Sequence, residues 1–490
     1  MRAVQVRQDA NVSYTSAVEW ETKLMVDEKF SMPHLPGRTL ARRVFTSTYY
    51  DTPDHCLARA CITLRYRLEG HLGIWQLKLP LNGRRREIEL RGEAGEVPLV
   101  FSDALVVHLE GKRPVPVSTL RTWRTGVRVQ VGGGGEADVV LDSVSVLMGG
   151  QIVERFRELE IEWLKGSDHT GNGLIEKLEK AGARPHDGRP KLFRALSVSY
   201  GLPAAVPEHA SVRECLRLYL SRQVEVLKRF DPGTRLGGES EDLHQMRVAT
   251  RRLRSVLRSV HGMLDPEWAA PLLSGLMWLG QLLGFARDLD VQLEYLRSEA
   301  SQLGLRDRKP VERFVSYLEE ERAGAQRTLV GEMRSARYLG FLSKLEQALH
   351  EPVVVESDCR VEDVAARAFK KLSKAMRDLP PSPSNADIHQ VRIKAKRARY
   401  AAELAEASGG KSATRFIKVA KGFQDLLGTH HDAVLAEQYM RDFVARLPGE
   451  RAAFAAGLLM ARAHQRRDHV RDTFRSAWKR VKKRGKKAWN

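Results

Sequence analysis

The chain has 490 residues, 42% of them hydrophobic and 29% charged. That is the composition of a globular protein of two or three domains and argues against wholesale disorder. Lys and Arg number 81 against 61 Asp and Glu, a formal charge of +20, which predicts a polyanionic partner: nucleic acid, an anionic membrane or polyphosphate. The excess is uneven, because residues 1–200 hold 29 basic and 25 acidic side chains and residues 201–490 hold 52 and 36. No uncharged apolar run reaches the roughly 18–20 residues of a membrane span; the longest, from Ala452 to Ala461, has ten. The opening MRAVQVRQDANVSYTS lacks the apolar stretch of a signal peptide. Cys56, Cys61, Cys215 and Cys359 form no C-x-x-C pair, which disfavours a disulfide framework or a zinc ribbon and suits a reducing cytoplasm.

In chain order, the first 200 residues read as β-rich. Alternating or β-branched runs at 18–26, 62–68, 74–79, 86–90, 127–131, 139–147 and 156–164 are separated by clusters such as 80–83 and 132–135, the punctuation of strands and turns. One helix is predicted at 173–181, ended by Gly182. Several strands carry ionisable residues at strand period: Glu19-x-Glu21-x-Lys23, Arg65-x-Arg67, Arg85-x-Glu87-x-Glu89 and Glu158-x-Glu160-x-Glu162. Alternate side chains share a face. In an ordinary sandwich those faces would meet solvent. Their opposite faces (Trp20, Thr22, Leu24; Leu64, Tyr66, Leu68; Leu159, Ile161, Trp163) could instead pack outward under helices while the charges line an interior. Paired carboxylates there would hold a hard divalent cation, and Arg and Lys would clamp phosphates.

Pro203 and Pro207 lie in a connector, and the boundary is placed at 202–208. Beyond it the pattern is helical and contains an internal repeat. His244-Gln-Met-Arg-Val-Ala-Thr-Arg-Arg-Leu-Arg254 aligns without gaps to His389-Gln-Val-Arg-Ile-Lys-Ala-Lys-Arg-Ala-Arg399, and Leu282-Leu283-Gly284 to Asp288 is echoed by Leu426-Leu427-Gly428 to Asp432. With the Pro-rich 380–383 just before the second copy, two related subdomains are predicted, at about 208–355 and 356–480. On a helical wheel His244, Arg247, Arg251, Arg254, Arg258 and His261 form a stripe about 100° wide, while Met246, Ala249, Leu253, Val256, Leu257 and Val260 supply a buried face. His389, Arg392, Lys396 and Arg399 repeat the stripe until Glu403, and Arg252, Arg397 and Lys394 widen the basic face. Charged helix faces usually mix signs. Between Arg247 and His261 there is no acid, so an external anion is expected to neutralise the repulsion, and guanidinium forks suit phosphate. Adjacent His430 and His431 diverge on a helix, so a zinc site is not expected there. The tail at 479–487, with seven basic residues in nine, reads as disordered and nonspecifically sticky.

The repeated His-x-x-Arg-x-x-x-basic-Arg-x-Arg helix resembles the CHAD family (conserved histidine α-helical domain). The resemblance implies two four-helix subdomains whose basic surface binds inorganic polyphosphate through His244, Arg247, Arg251, Arg252, Arg254, Arg258, His389, Arg392, Lys396, Arg397 and Arg399. Lys394 and Tyr400 stand where the first copy has Ala249 and Ser255, so the two sites need not be equivalent. In the first half, Glu19-Trp-Glu-Thr-Lys23, Tyr49-Tyr-Asp-Thr-Pro53, Leu64-Arg-Tyr-Arg67, Gln76-Leu-Lys78, Arg85-Arg-Glu-Ile-Glu89 and Glu158 to Glu162 resemble, as a set, the CYTH family of triphosphate tunnel metalloenzymes. That resemblance implies an α+β, antiparallel, eight-stranded tunnel barrel acting on a triphosphate with Mg²⁺ or Mn²⁺. It makes Glu19, Glu21, Glu158, Glu160 and Glu162 metal ligands, with Asp142 in support, and Glu19, Glu21 and Lys23 catalytic. Lys23, Arg65, Arg67, Lys78, Arg85, Arg124 and Lys191 would bind substrate; Arg121 and Arg128 compete with Arg124 for the tunnel.

The expectation is therefore a multidomain cytoplasmic protein, placed near polyphosphate granules, with a tunnel domain at 15–202, an all-α domain at 208–480 and a basic tail at 481–490. The tunnel would hydrolyse a triphosphate, inorganic tripolyphosphate before others, and the helical half would bind polyphosphate. The rivals are a non-catalytic polyphosphate adaptor and a class IV-like adenylate cyclase. Neither a membrane nor nucleic acid is expected as partner, because the basic stripes lack interleaved aromatics for base stacking.

Overall fold

The computed structural model describes residues 4–8, 12–81, 84–165, 172–186, 189–196, 211–237, 239–350, 352, 354 and 360–489. It divides into two compact units, Met1–Leu202 with Asp231–Glu239, and Pro203–Phe230 with Ser240–Asn490. Cys359 and the whole connector at 202–208 fall outside the described residues.

The first unit contains strands β1 Val4–Gln8, β2 Val12–Glu19, β3 Glu21–Met25, β4 Gly37–Thr39, β5 Arg43–Asp51, β6 Thr63–Glu69, β7 Leu72–Leu81, β8 Arg84–Arg91, β9 Val115–Val131, β10 Gly135–Met148, β11 Gln151–Lys165 and β12 Arg184–Pro185. Helices α1 Cys56–Arg59, α2 Leu99–Ala104, α3 Val106–Leu109, α4 Asn172–Lys180 and α5 Lys191–Leu196 intervene. The sheet order is β1-β2-β8-β7-β6-β5-β9-β10-β11-β3-β12, with β4 on β9. Because β2 and β3 are one strand interrupted only at Trp20, this order is closed. The first half of that strand pairs with β8, Glu19 opposite Arg85, and its second half pairs with β11, Lys23 opposite Glu160. Counting β2–β3 once, the wall has eight antiparallel strands: the tunnel barrel expected for this half. Of the expected runs, 18–26 is split at Trp20, and 127–131 is the end of the 17-residue β9.

The closed sheet has two faces, and strand alternation sorts the sequence between them. Outward residues Leu64, Tyr66, Trp75, Leu77 and Ile88 pack with Phe101, Ala104 and Leu105 of the α2–α3 region. On the other side Leu24, Val139, Leu159, Ile161 and Trp163 pack with Leu178 of α4. The apolar faces therefore lie outside, under helices, and the charged faces turn inward. Leu68 departs from this, at 43% exposure. Gly182, at φ 107°, follows α4 in the left-handed conformation that suits glycine.

The second unit is all-α: α6 Val212–Leu236 (its last turn counted with the first unit), α7 Ser240–Ser259, α8 Pro266–Ala300, α9 Leu305–Arg334 and the shorter α10 Ala336–His350, then α11 Val361–Arg377, α12 Asn385–Leu404, α13 Glu406–Arg446 and α14 Glu450–Trp489. Four long helices form each repeat, with α10 closing the first. The motif helices α7 and α12 pack on each other, and Arg251 Nε donates to Tyr400 Oη at 3.0 Å across the repeats.

Two expectations are corrected here. The basic tail is not an appendage, because α14 continues to Trp489. Trp478, Val481, Ala488 and Trp489 pack into the core of the second repeat, and Gly485 passes so close to Phe369 that a Cβ there would lie 2.2 Å from a ring carbon. Among the lysines runs an apolar stripe at spacings of three and four, enough to hold a helix against a core. Second, α8 is long and apolar enough to cross a membrane by length and composition, with a mean hydropathy of 1.4 over its best window. Its Leu272, Leu276, Leu279 and Leu283 are buried among the helices of its own unit.

Candidate functional site

Seven of the eight barrel strands, all but β10, send inward residues to one cavity of about 210 Å³. β2–β3 supply Glu19, Glu21 and Lys23; β6 supplies Arg65 and Arg67; β7 supplies Gln76 and Lys78; β8 supplies Arg85, Glu87 and Glu89; β9 supplies Arg124; β11 supplies Glu160 and Glu162. α5 closes one side by packing Leu192 against Tyr49 and Leu120, which brings Lys191 into the lining.

Inside, acids and bases interlock. Lys78 Nζ reaches both oxygens of Glu19 at 2.7 and 2.6 Å. Lys23 Nζ donates to Glu158 and Glu160 at 3.0 and 2.9 Å and meets Glu21 at 3.5 Å. Arg124 takes both oxygens of Asp142, at 2.8 and 2.7 Å, and reaches Glu162 at 2.6 Å and Glu160 at 2.7 Å. Lys191 joins Asp142 at 2.8 Å and Glu160 at 2.9 Å. On the opposite wall Arg65 donates to Gln76 at 2.7 Å and Tyr49 at 3.1 Å, and the Arg67 guanidinium lies 3.9 Å from the Phe45 ring centroid.

The electrostatics follow from this packing. Burial alone would raise the Glu160 carboxyl, but Lys191, Lys23 and Arg124 hold it well below the usual range. Burial would lower the Lys23 ammonium, yet Glu160, Glu21 and Glu158 hold it well above its ordinary value. Glu19 goes the other way: burial lifts its carboxyl, and Glu87 beside it adds to the rise despite Lys78. Arg67 falls to about 10, through burial and then through Arg65 and Arg43. Glu69 is the acid this wall shares, 2.6 Å from Arg43 and 2.8 Å from Arg67.

Most expected tunnel residues line this cavity, with three refinements. Arg124 faces it, whereas Arg121 is exposed and Arg128 pairs with Asp138 at 2.6 Å. Glu158, expected among the metal ligands, and its supporting Asp142 lie behind the lining, tied to Lys23, Arg124 and Lys191. Among the described residues no three His, Cys, Asp or Glu groups converge as a ready-made metal site; the carboxylates face cations instead. The donor set nonetheless fits a hard cation. Glu19, Glu21, Glu160 and Glu162 present oxygens to one cavity, and buried Glu87 Oε1 lies 3.2 Å from Lys78 Nζ without hydrogen-bond geometry, leaving ligand capacity unspent. Sequence reasoning missed Arg43, Phe45 and Ser47, which with Tyr49 are the inward positions of β5. Their every-other spacing was the available signal.

In the second unit, a cavity of about 510 Å³ takes His244, Arg247, Arg251 and Arg254 from α7 and Arg392 and Lys396 from α12. The two repeats thus furnish one site. The echo motif, flagged by its repetition but given no role, completes it with Arg287, Asp288, His431 and Asp432. Arg247 bonds Asp288 at 2.7 Å and lies over Gly284, whose Cβ position is 3.8 Å from its guanidinium. Burial, and then Arg251, Arg392 and Arg247, push Lys396 down to about 7. Burial and Arg392 push His431 down to about 4.

Five expected residues lie elsewhere. Arg252 pairs with Glu403 at 3.5 Å. Arg399 is 8% exposed and bonds Glu403 at 2.8 Å and Gln424 at 3.1 Å, so an internal acid takes both charges. His389 stands behind the lining, its ring 4.9 Å from that of His431. Arg258 and Arg397 line a separate groove.

Comparisons with known proteins agree with both halves. The CYTH domain model matches residues 17–187 and the CHAD domain model residues 218–441. The uncharacterized protein Rv2226 of Mycobacterium tuberculosis (strain ATCC 25618 / H37Rv) is 29% identical over 518 residues, 96% of this chain and 98% of that protein. Among solved structures, the CHAD domain from the plant Ricinus communis is 25% identical with a TM-score of 0.46, covering 56% of this chain and 94% of its own. PptA from Streptomyces chartreusis is 22% identical with a TM-score of 0.46, covering 55% of this chain and all of its own. The putative adenylyl cyclase HpAC1 from Hippeastrum, described as having a dominant triphosphatase activity, is 18% identical with a TM-score of 0.25, covering 38% of this chain and 98% of its own. The chain belongs to the CYTH–CHAD architecture, a CYTH domain followed by a CHAD domain.

Proposed function

We propose that the first unit hydrolyses the terminal phosphoanhydride bond of a triphosphate, inorganic tripolyphosphate foremost, with Mg²⁺ or Mn²⁺, and that the second unit binds inorganic polyphosphate. One observation carries the catalytic reading: carboxylates and cations from seven barrel strands and α5 line a single enclosed cavity, an arrangement no solvent-facing sheet requires. Arg65, Arg67, Arg85 and Lys78 neutralise and orient the phosphate oxygens, and Arg43 and Arg124 extend the cationic wall. In such a reaction a water oxygen bonds to the terminal phosphorus as the bridging P–O bond breaks, and positioning and charge neutralisation supply most of the acceleration. Glu19, Glu21, Glu160 and Glu162 would hold the divalent cation, which supplies Lewis-acid charge stabilisation. Glu87, kept below the ordinary carboxylate range by Lys78 despite burial, stays ionised next to Glu19. For the second unit, the support is a recessed cavity in which cations from both repeats outnumber the acids.

The test is phosphate release from tripolyphosphate with each metal, by the full chain and by a Glu19→Ala/Glu21→Ala variant. Metal-dependent release that disappears in the variant, while polyphosphate binding persists, is expected. No release from folded protein with either metal would overturn the triphosphatase, and cyclic AMP formed from ATP would replace it with the cyclase.

A further inference from the structure

The basic cavity of the second unit does not end at Arg254. Beyond it, between α7, α11 and α12, lies a groove of about 400 Å³ lined by Arg258, Arg367, Lys371, Lys394 and Arg397 over a floor of Val364 and Ala368. Among the described residues no carboxylate lines it. Two of these cations, Arg367 and Lys371, stand one turn apart on the exposed face of α11, outside either motif copy. Arg254 connects the two spaces. It lines the first cavity, and burial, then Arg258, Arg397 and Arg251, lower its guanidinium below the ordinary value. Arg247, Arg251, Arg254 and Arg258 therefore mark a cationic row about 16 Å long, from the rise of α7, that leads from the cavity to the groove.

We propose that α11 completes a second anion subsite, in which Arg367 and Lys371 hold the continuation of a polyphosphate chain whose first part fills the cavity. This rests on the polyphosphate reading of the second unit and adds a length requirement to it. Tripolyphosphate is too short to span the row, whereas a long chain engages both spaces and gains the affinity of the second without a second association cost. A flexible, densely charged inorganic chain fits better than nucleic acid, because the lining of the groove offers no aromatic ring for a base.

The experiment measures binding of labelled long-chain polyphosphate to the full chain in metal-free buffer, at several salt concentrations, and reads tripolyphosphate affinity as its displacement of that label so that the tunnel of the first unit is not counted, for the wild type, Arg367→Gln/Lys371→Gln and Arg247→Gln. In the double variant the ratio of long-chain to tripolyphosphate affinity is expected to fall about tenfold, and the salt dependence of long-chain binding to flatten by a slope of about 1.4, two contacts' worth on a single-stranded polyanion. Arg247→Gln is expected to weaken both ligands. Because the α11 side chains are exposed, circular dichroism and melting should match the wild type. An unchanged ratio and slope would overturn the subsite while leaving the cavity reading in place. Wild-type protein that binds neither polymer would overturn both, and equal competition by a DNA oligonucleotide would reassign the row to nucleic acid.

Discussion

Lys396 gives the second unit a pH signature that can be worked out before any measurement. Its ammonium lies in the cavity with Arg247, Arg251 and Arg392, and burial followed by those three charges leaves its pKa at about 7, against an ordinary 10.5. A bound polyphosphate supplies the missing anion and draws the value back toward 10.5, so binding above neutral pH takes up one proton. At pH 7 the free side chain is about half charged and at pH 9 about one in a hundred carries the proton, so affinity should fall roughly 50-fold between them. Among the neighbours, burial and nearby cations lower His244 and His389 and push His431 down to about 4, Tyr439 is up at about 12, and Asp432, though raised from 3.8 by burial, has Arg392 and Lys396 opposing the rise. Isothermal titration with long-chain polyphosphate, whose few chain ends contribute little titration, measures the slope. Lys396→Arg, permanently charged, should bind with an almost flat profile. A wild-type change of less than about threefold, or an equally steep profile in Lys396→Arg, would refute the argument.

Three further outcomes follow from the geometry. Replacing Lys191 by Met strips a cation from Asp142, Glu160 and Glu158 and should destabilise the first unit by about 3–5 kcal/mol near neutral pH, the usual result of leaving buried charges unpaired. Asp142 and Glu160 are held below their ordinary values, so the stability they contribute exists above the unfolded carboxylate pKa and disappears as pH falls through the folded one; the Met variant's deficit in urea melts should shrink in acid accordingly. Gly485→Ala should cost about 1–3 kcal/mol, because Phe369 must move to admit the new methyl group, and a melting temperature equal to the wild type's would show that the last turns of α14 do not pack. Arg124→Ala should abolish tripolyphosphate hydrolysis while Arg121→Ala leaves it within about twofold, since only the former faces the cavity; equal losses would put the β9 register in doubt.

Much of the architecture was legible because closed sheets and amphipathic helices write their periods into the sequence. Glu19, Glu21 and Lys23 share a face by alternation alone, and so do Arg65 with Arg67 and Glu160 with Glu162. β5 escaped because its outward Val44, Thr46 and Thr48 are scarcely more apolar than its inward Arg43, Phe45 and Ser47, so its alternation has little contrast. The α7 stripe could be drawn on a wheel, but its division could not. Arg399 meets Glu403 one turn further along its own helix, which the spacing could have signalled, but whether a cation meets an acid of another helix, as Arg252 meets Glu403, or a cavity, as Arg392 does, depends on helices far away in the chain. The tail misled for a related reason, since seven cations in nine residues hide an apolar stripe that matters only once Phe369 is opposite it.

The strand formed by β2 and β3 pairs with β8 at one end and β11 at the other, and that has a bearing on how the protein is made. On a ribosome this strand emerges well before its second partner, Gln151–Lys165, which follows more than a hundred codons later. Until then the nascent sheet has two open edges, and Glu21 and Lys23 face water without Glu160 or Glu162. The charged cavity can therefore be assembled only near the end of this unit's synthesis, and chains released before Lys165 should carry exposed strand edges of the kind that aggregate.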